Sequence, residues 1–139
     1  KNNKATKTLM PSFGKKSQER LNTCDPRLVE LFEEVVEHFD CTVIQGYRDE
    51  VEQNKAFEDG FSKLKYPQGS HNKYPSLAVD IAPYPIDWKD RDRFHLFAGF
   101  VKGIASQMGL NIRWGGDWNS DTHTKDNNFD DLPHFEVRG

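Results

Sequence analysis

The chain has little cysteine, no surplus of charge of either sign and no long apolar run. Only two cysteines occur among its 139 residues, Cys24 and Cys41. Two thiols make no disulfide framework, and their spacing is not that of a zinc knuckle. They read as free thiols, one of them buried. No stretch approaches the ~20 apolar residues that a membrane-spanning helix requires, so no stable membrane association is expected. The N-terminal segment is basic but holds no apolar core, which argues against a secretory signal. Synthesis in the cytoplasm is the expectation, unless another protein exports the chain. The formal net charge is only −3. No nucleic-acid partner is expected, because binding phosphates takes a basic surface. Internal repeats and low-complexity linkers are also missing.

What the chain does have is aromatic weight. Ten Phe, three Trp and four Tyr argue against disorder, although charged residues reach 29%. The length suits one domain with a real core. Residues 1–9, KNNKATKTL, are polar and unpatterned, and Met10-Pro11 looks like a natural start. Residues 1–11 are therefore read as a flexible arm and 12–139 as one domain.

Apolar spacing outlines the elements. Asp25-Pro26 is an N-cap with proline at the first helical position. Leu28, Leu31, Phe32, Val35, Val36 and Phe39 then recur at helical spacing to about His38. Cys41–Gly46 reads as a strand. Asp49–Asp59 reads as a helix stopped by Gly60, with Val51, Ala56 and Phe57 inward. Residues 61–76, with Pro67, Gly69 and Pro75, read as a loop. Leu77–Ala82 is a second strand. Asp87-Trp88 is expected to open a third helix that ends near Gly109. Asn111–Trp114 and His134–Val137 complete the strands around a polar loop, 117–130. The pattern is α+β, a small, mostly antiparallel sheet with helices packed on it.

The chemistry lies in two segments. Ser70-His71 is followed, after eight residues, by Asp80-Ile81-Ala82-Pro83, and the C-terminal end carries Asp131-Leu132-Pro133-His134-Phe135-Glu136. Taken singly, Asp80 reads as a turn residue before Pro83. His134 alone reads as a core or surface histidine. Together, His71, Asp80 and His134 supply three ligands for one tetrahedral zinc, with the fourth position open to water. An Asp inside Leu-Ala-Val-Asp-Ile-Ala also needs a partner, because a buried carboxylate is costly alone. Asp131 lies three residues before His134 and is the expected general base. Asp130 competes for that role. Arg48 either pairs with Asp49 or Glu52 at the surface, or stabilises an oxyanion or holds a substrate carboxylate. His38 and His95 read as surface residues. His123, in the 117–130 loop, is a weaker candidate.

These segments resemble the zinc peptidases of the D-Ala-D-Ala carboxypeptidase group, which share a fold with lysostaphin-type enzymes and the hedgehog signalling domain. Within the group the chain is most similar to phage endolysins that act as L-alanyl-D-glutamate endopeptidases. The similarity runs through Phe13–Ser17, Val43–Arg48, Ala78–Tyr84, Ile86–Trp88, Arg113–Trp118 and the Asp131/His134 motif. It spans residues 12 to 137. The stretch from His71 to Asp80 is longer than is usual in the family, and a bulge in the loop would accommodate the excess.

The resemblance implies a zinc metallopeptidase that cuts the L-Ala–D-Glu bond of the peptidoglycan stem peptide. His71, Asp80 and His134 would bind zinc, with Asp131 as base and Arg48 at the oxyanion or the substrate. The expected partner is the stem peptide and the expected state a monomer. Such an enzyme would be made in the host cytoplasm and act on the wall in the periplasm after release. The alternatives are a D,D-carboxypeptidase or dipeptidase of the same fold, and a non-catalytic zinc-binding interaction domain.

Overall fold

The computed structural model describes residues 10–125 and 129–139. Most of the arm expected over 1–11 therefore lies outside the described residues. In chain order the elements are α1 (Lys15–Leu21), α2 (Pro26–His38), β1 (Cys41–Gln45), α3 (Glu50–Glu58), a short 3-10 turn (Ser70–Asn72), β2 (Ala78–Pro83), α4 (Arg91–Gln107), β3 (Asn111–Trp114) and β4 (His134–Arg138). The strands form one sheet in the order β1-β2-β4-β3. Every pairing between them is antiparallel.

The side-chain period of two divides this sheet into two faces. Val79, Ile81, Ile112, Trp114, Phe135 and Val137 are buried in the apolar core. Helix α2 packs Leu28, Leu31, Phe32, Val35 and Val36 into that core. Helix α4 adds Phe94, Phe97, Ala98, Val101 and Ala105. Phe135 is where the layers meet. Its ring makes edge contacts with Phe32 at 5.5 Å and Phe97 at 5.9 Å. Asp80, Arg113, His134 and Glu136 alternate with these residues and take the opposite face.

Local chemistry sets the boundaries. Asp25 caps α2 by accepting from the Arg27 amide at 2.9 Å, with Pro26 in the first turn. Asp49 and Glu52 close a capping box on α3. The edge strand β1 is covered by α1. Ser17 Oγ accepts from the Val43 amide at 3.1 Å, and Arg20 Nη1 donates to the Val43 carbonyl at 3.1 Å. Polar groups that would otherwise template a foreign strand are thereby occupied.

Three expectations need correction. The inner side of α3 is not Val51, Ala56 and Phe57. Val51 is 76% exposed, and the residue that helix buries is Gln53. A polar network, rather than apolar burial, docks this helix. The third long helix opens at Arg91 instead of Asp87-Trp88, capped by Asp90, whose carboxylate accepts from the Arg93 amide. Asp87 instead turns the chain by accepting from the Lys89 amide. Finally, both cysteines are buried, not one. The extra length between His71 and Asp80 does bulge outward, with Lys73, Tyr74 and Pro75 exposed while His71 and Ser76 stay buried.

Candidate metal centre and catalytic cleft

Strand register builds the site. Asp80 on β2 faces His134 on β4 as a cross-strand pair. The 3-10 turn brings His71 in from the side, anchored by the Arg48 amide donating to the His71 carbonyl at 2.9 Å. His71 Nε2 lies 3.2 Å from Asp80 Oδ1, and His134 Nδ1 lies 3.4 Å from the same oxygen. One ligand atom from each of the three residues falls within 4.8 Å of the others. His71 is 3% and His134 5% exposed.

The hydrogen bonds around this cluster orient its ligand atoms inward. A carbonyl only accepts, so His71 must donate from Nδ1 to Gly46 at 2.7 Å. In the neutral ring its Nε2 then faces Asp80 as the available ligand atom. Burial works against the ionised form of Asp80, but His71 and His134 hold its carboxyl well below the usual range. Burial likewise lowers the basicity of His134, yet Asp80 and Glu136 raise it to about 9. Two imidazoles and a carboxylate, each offering one ligand atom within 4.8 Å of the others, fit a divalent cation.

A cavity of about 560 Å³ opens over this cluster, lined by His71 and His134 together with Arg48, Arg113, Trp118 and Asp131. Asp131 Oδ2 stands 3.8 Å from His134 Nδ1. Burial, and then the charge of Asp80, push its carboxyl up to about 6, while His134 and Arg48 pull the other way. Gly115 holds that segment closely. Its carbonyl accepts from the Asp131 amide at 2.9 Å, and a Cβ on Gly115 would collide with the Asp131 carbonyl. Asp130 turns away to pair with Arg91 at 2.7 Å.

Arg48 is 8% exposed and makes no surface pair with Asp49 or Glu52, whose side chains cap α3. Its guanidinium donates to Gln45 at 3.1 Å, Gln53 at 2.9 Å and Asp80 at 3.4 Å. His38 is exposed. His95 is half-buried, its ring 5.2 Å from that of Trp114, so it is a packing residue. His123 is exposed and does not line the cavity.

Two residues given no role from sequence belong here. Gln53 accepts from Arg48 and Asn72 and donates to the Leu64 carbonyl and Ser62, tying α3 to the site. Nothing in the pattern of a polar helix marks it. Glu136 could have been found, because strand alternation places it on the same face as His134.

A buried His-Asp-His cluster on the floor of a cleft, with a further carboxylate beside it, fits a metallopeptidase. The model of the phage L-alanyl-D-glutamate peptidase family matches residues 10–138, and the chain belongs to that family. Among solved structures, the fold is similar to that of the L-Ala D-Glu endopeptidase ChiX of Serratia marcescens. The TM-score is 0.73 at 23% identity, over 99% of this chain and 96% of that one.

Proposed function

We propose that this chain is a zinc-dependent endopeptidase that hydrolyses the L-Ala–D-Glu bond of the peptidoglycan stem peptide. Its family is one of phage peptidases for that linkage. The observation that carries the metal dependence is the convergence of His71, Asp80 and His134 at the base of the cleft. Two nitrogens and one carboxylate oxygen suit zinc better than magnesium or calcium, which prefer all-oxygen shells. Zinc, when bound, supplies Lewis acidity to the scissile carbonyl and to an attacking water.

The protein's own groups do the rest. Asp131, on the cleft wall beside His134, takes the proton of the attacking water and hands it to the leaving amine. Arg48 holds Asp80 in place and offsets negative charge as the carbonyl carbon becomes tetrahedral. We further assign residues 12–139 to the catalytic domain and 1–11 to a flexible arm. The protein acts as a monomer, made in the host cytoplasm and reaching the wall in the periplasm after release.

Digestion of purified peptidoglycan followed by mass spectrometry of the fragments tests the bond. New N-terminal D-Glu and C-terminal L-Ala are expected. Release of D-Ala from intact pentapeptide would instead identify a D,D-carboxypeptidase. Metal analysis should find about one zinc per chain.

A further inference from the structure

The outer nitrogens of the two imidazoles are held by different means. His71 uses a backbone carbonyl, whereas His134 Nε2 meets a carboxylate, Glu136 Oε1, at 2.8 Å. Glu136 is 5% exposed, and no step above employs it. Its two oxygens have separate partners. Oε1 also accepts from Ser70 Oγ at 3.1 Å, and Ser70 directly precedes His71. One oxygen thus joins both histidine-bearing segments. Oε2 accepts from Arg113 Nε at 3.0 Å and Nη2 at 2.8 Å, and from Arg138 Nη1 at 3.3 Å. Register explains the first of these cations, because Arg113 on β3 is the cross-strand partner of Glu136. Arg113 also lies over the Trp118 ring at 5.3 Å, and that ring packs 5.2 Å from His134.

We propose that Glu136, oriented by Arg113, is a positioning residue that decides which nitrogen of His134 faces the metal. The proposal rests on the reading of His71, Asp80 and His134 as ligands. An ionised carboxylate has no hydrogen to give, so the imidazole hydrogen resides on Nε2. In the neutral ring that ligation requires, Nδ1 is then left with its lone pair toward Asp80 and the ion. Outer partners of this kind are typically worth 10- to 100-fold in metal affinity.

Glutamine at 136 cannot do the same work. If its amide oxygen faces His134, its NH2 meets the N–H groups of Arg113. If its NH2 faces His134, Nε2 must accept, the hydrogen moves to Nδ1 and the ligand atom is blocked. Glu136→Gln should therefore weaken zinc binding, measured by chelator competition, by about 10- to 100-fold. Arg113→Met in the same chain removes the two shorter of the conflicting contacts, leaves only the longer one from Arg138, and should restore much of the affinity.

The wild-type protein supplies a test that needs no variant. Long-range 1H–15N correlation on the zinc-loaded, histidine-labelled protein should show His134 protonated at Nε2 and ligated through Nδ1. Ligation through Nε2 overturns the proposal. So does a folded Glu136→Gln protein with wild-type zinc affinity, or a double variant no better than the single one. Should Glu136→Gln fail to fold, the nitrogen assignment in wild type decides alone. Failure of the underlying reading looks different. In that case wild type binds no zinc, or His134→Ala binds it as well as wild type does.

Discussion

At the scale of single residues, the cleft separates groups that sequence left in competition. Asp130 is spent on Arg91, while Asp131 lines the cavity. Asp131→Asn should therefore keep zinc and fold but lose turnover on the order of 100-fold or more. Asp130→Asn should leave turnover close to wild type in the same peptidoglycan assay. His134→Ala and Asp80→Ala should lose metal and activity together, and full zinc occupancy in both would remove them as ligands. Arg48→Lys replaces a fork that reaches three acceptors with a single ammonium. Its kcat and kcat/KM should fall together, by roughly 100-fold, if the fork acts on the transition state. Wild-type turnover would exclude Arg48 from the chemistry. The thiols make a contrasting case. Burial pushes both Cys24 and Cys41 up to about 12. Neither should react with a thiol reagent at neutral pH until the protein unfolds, when both should.

At the scale of elements, legibility follows the source of each element's stability. Helix α2 was readable because its apolar stripe and its Asp25-Pro26 start point to the same span. The four strands were readable as short β-prone runs bounded by turn residues. Helix α3 misled because its inward residue is Gln53, and hydrogen bonding leaves no apolar periodicity to read. The onset of α4 is ambiguous in the sequence because Asp87 and Asp90 are both credible caps, and only the second begins the helix. In the site, types and spacing named the His71, Asp80, His134 and Asp131 cluster, but the partners of Glu136 depend on register across three strands. The cap of α2 yields its own prediction. The hydrogen bond from Arg27 lowers the carboxyl of Asp25, against the effect of burial. A depressed folded-state value means that its stabilisation is present above the unfolded carboxyl range, near pH ~3.9, and is lost as pH falls through the folded value. Asp25→Ala should cost about 1 kcal/mol at neutral pH. The gap from wild type should close in acid denaturation below about pH 4.

At the scale of the whole molecule, one sheet serves two tasks on its two faces. The core face is held by Phe135, fully buried between α2 and α4. Phe135→Ala should destabilise the protein by about 3–5 kcal/mol in urea unfolding, since aromatic truncation leaves a cavity as well as losing transfer energy. The site face should contribute through its ion. Zinc at 100 times its dissociation constant adds about 2.7 kcal/mol to a state that alone binds it. Chelation should lower the melting temperature of wild type and leave that of His134→Ala unchanged.

The pairing of Asp80 with His134 has one more consequence. These two residues sit opposite each other only in a single alignment of β2 against β4. Sliding either strand by one position turns one of them toward the helices and inserts a core side chain into the cleft. On the proposed reading of His71, Asp80 and His134 as ligands, an ion would act as a proofreader of strand alignment, because only a correctly threaded sheet would capture it. Zinc added during refolding should favour that threading, and the amides of β2 and β4 should gain the most protection from hydrogen exchange when it binds.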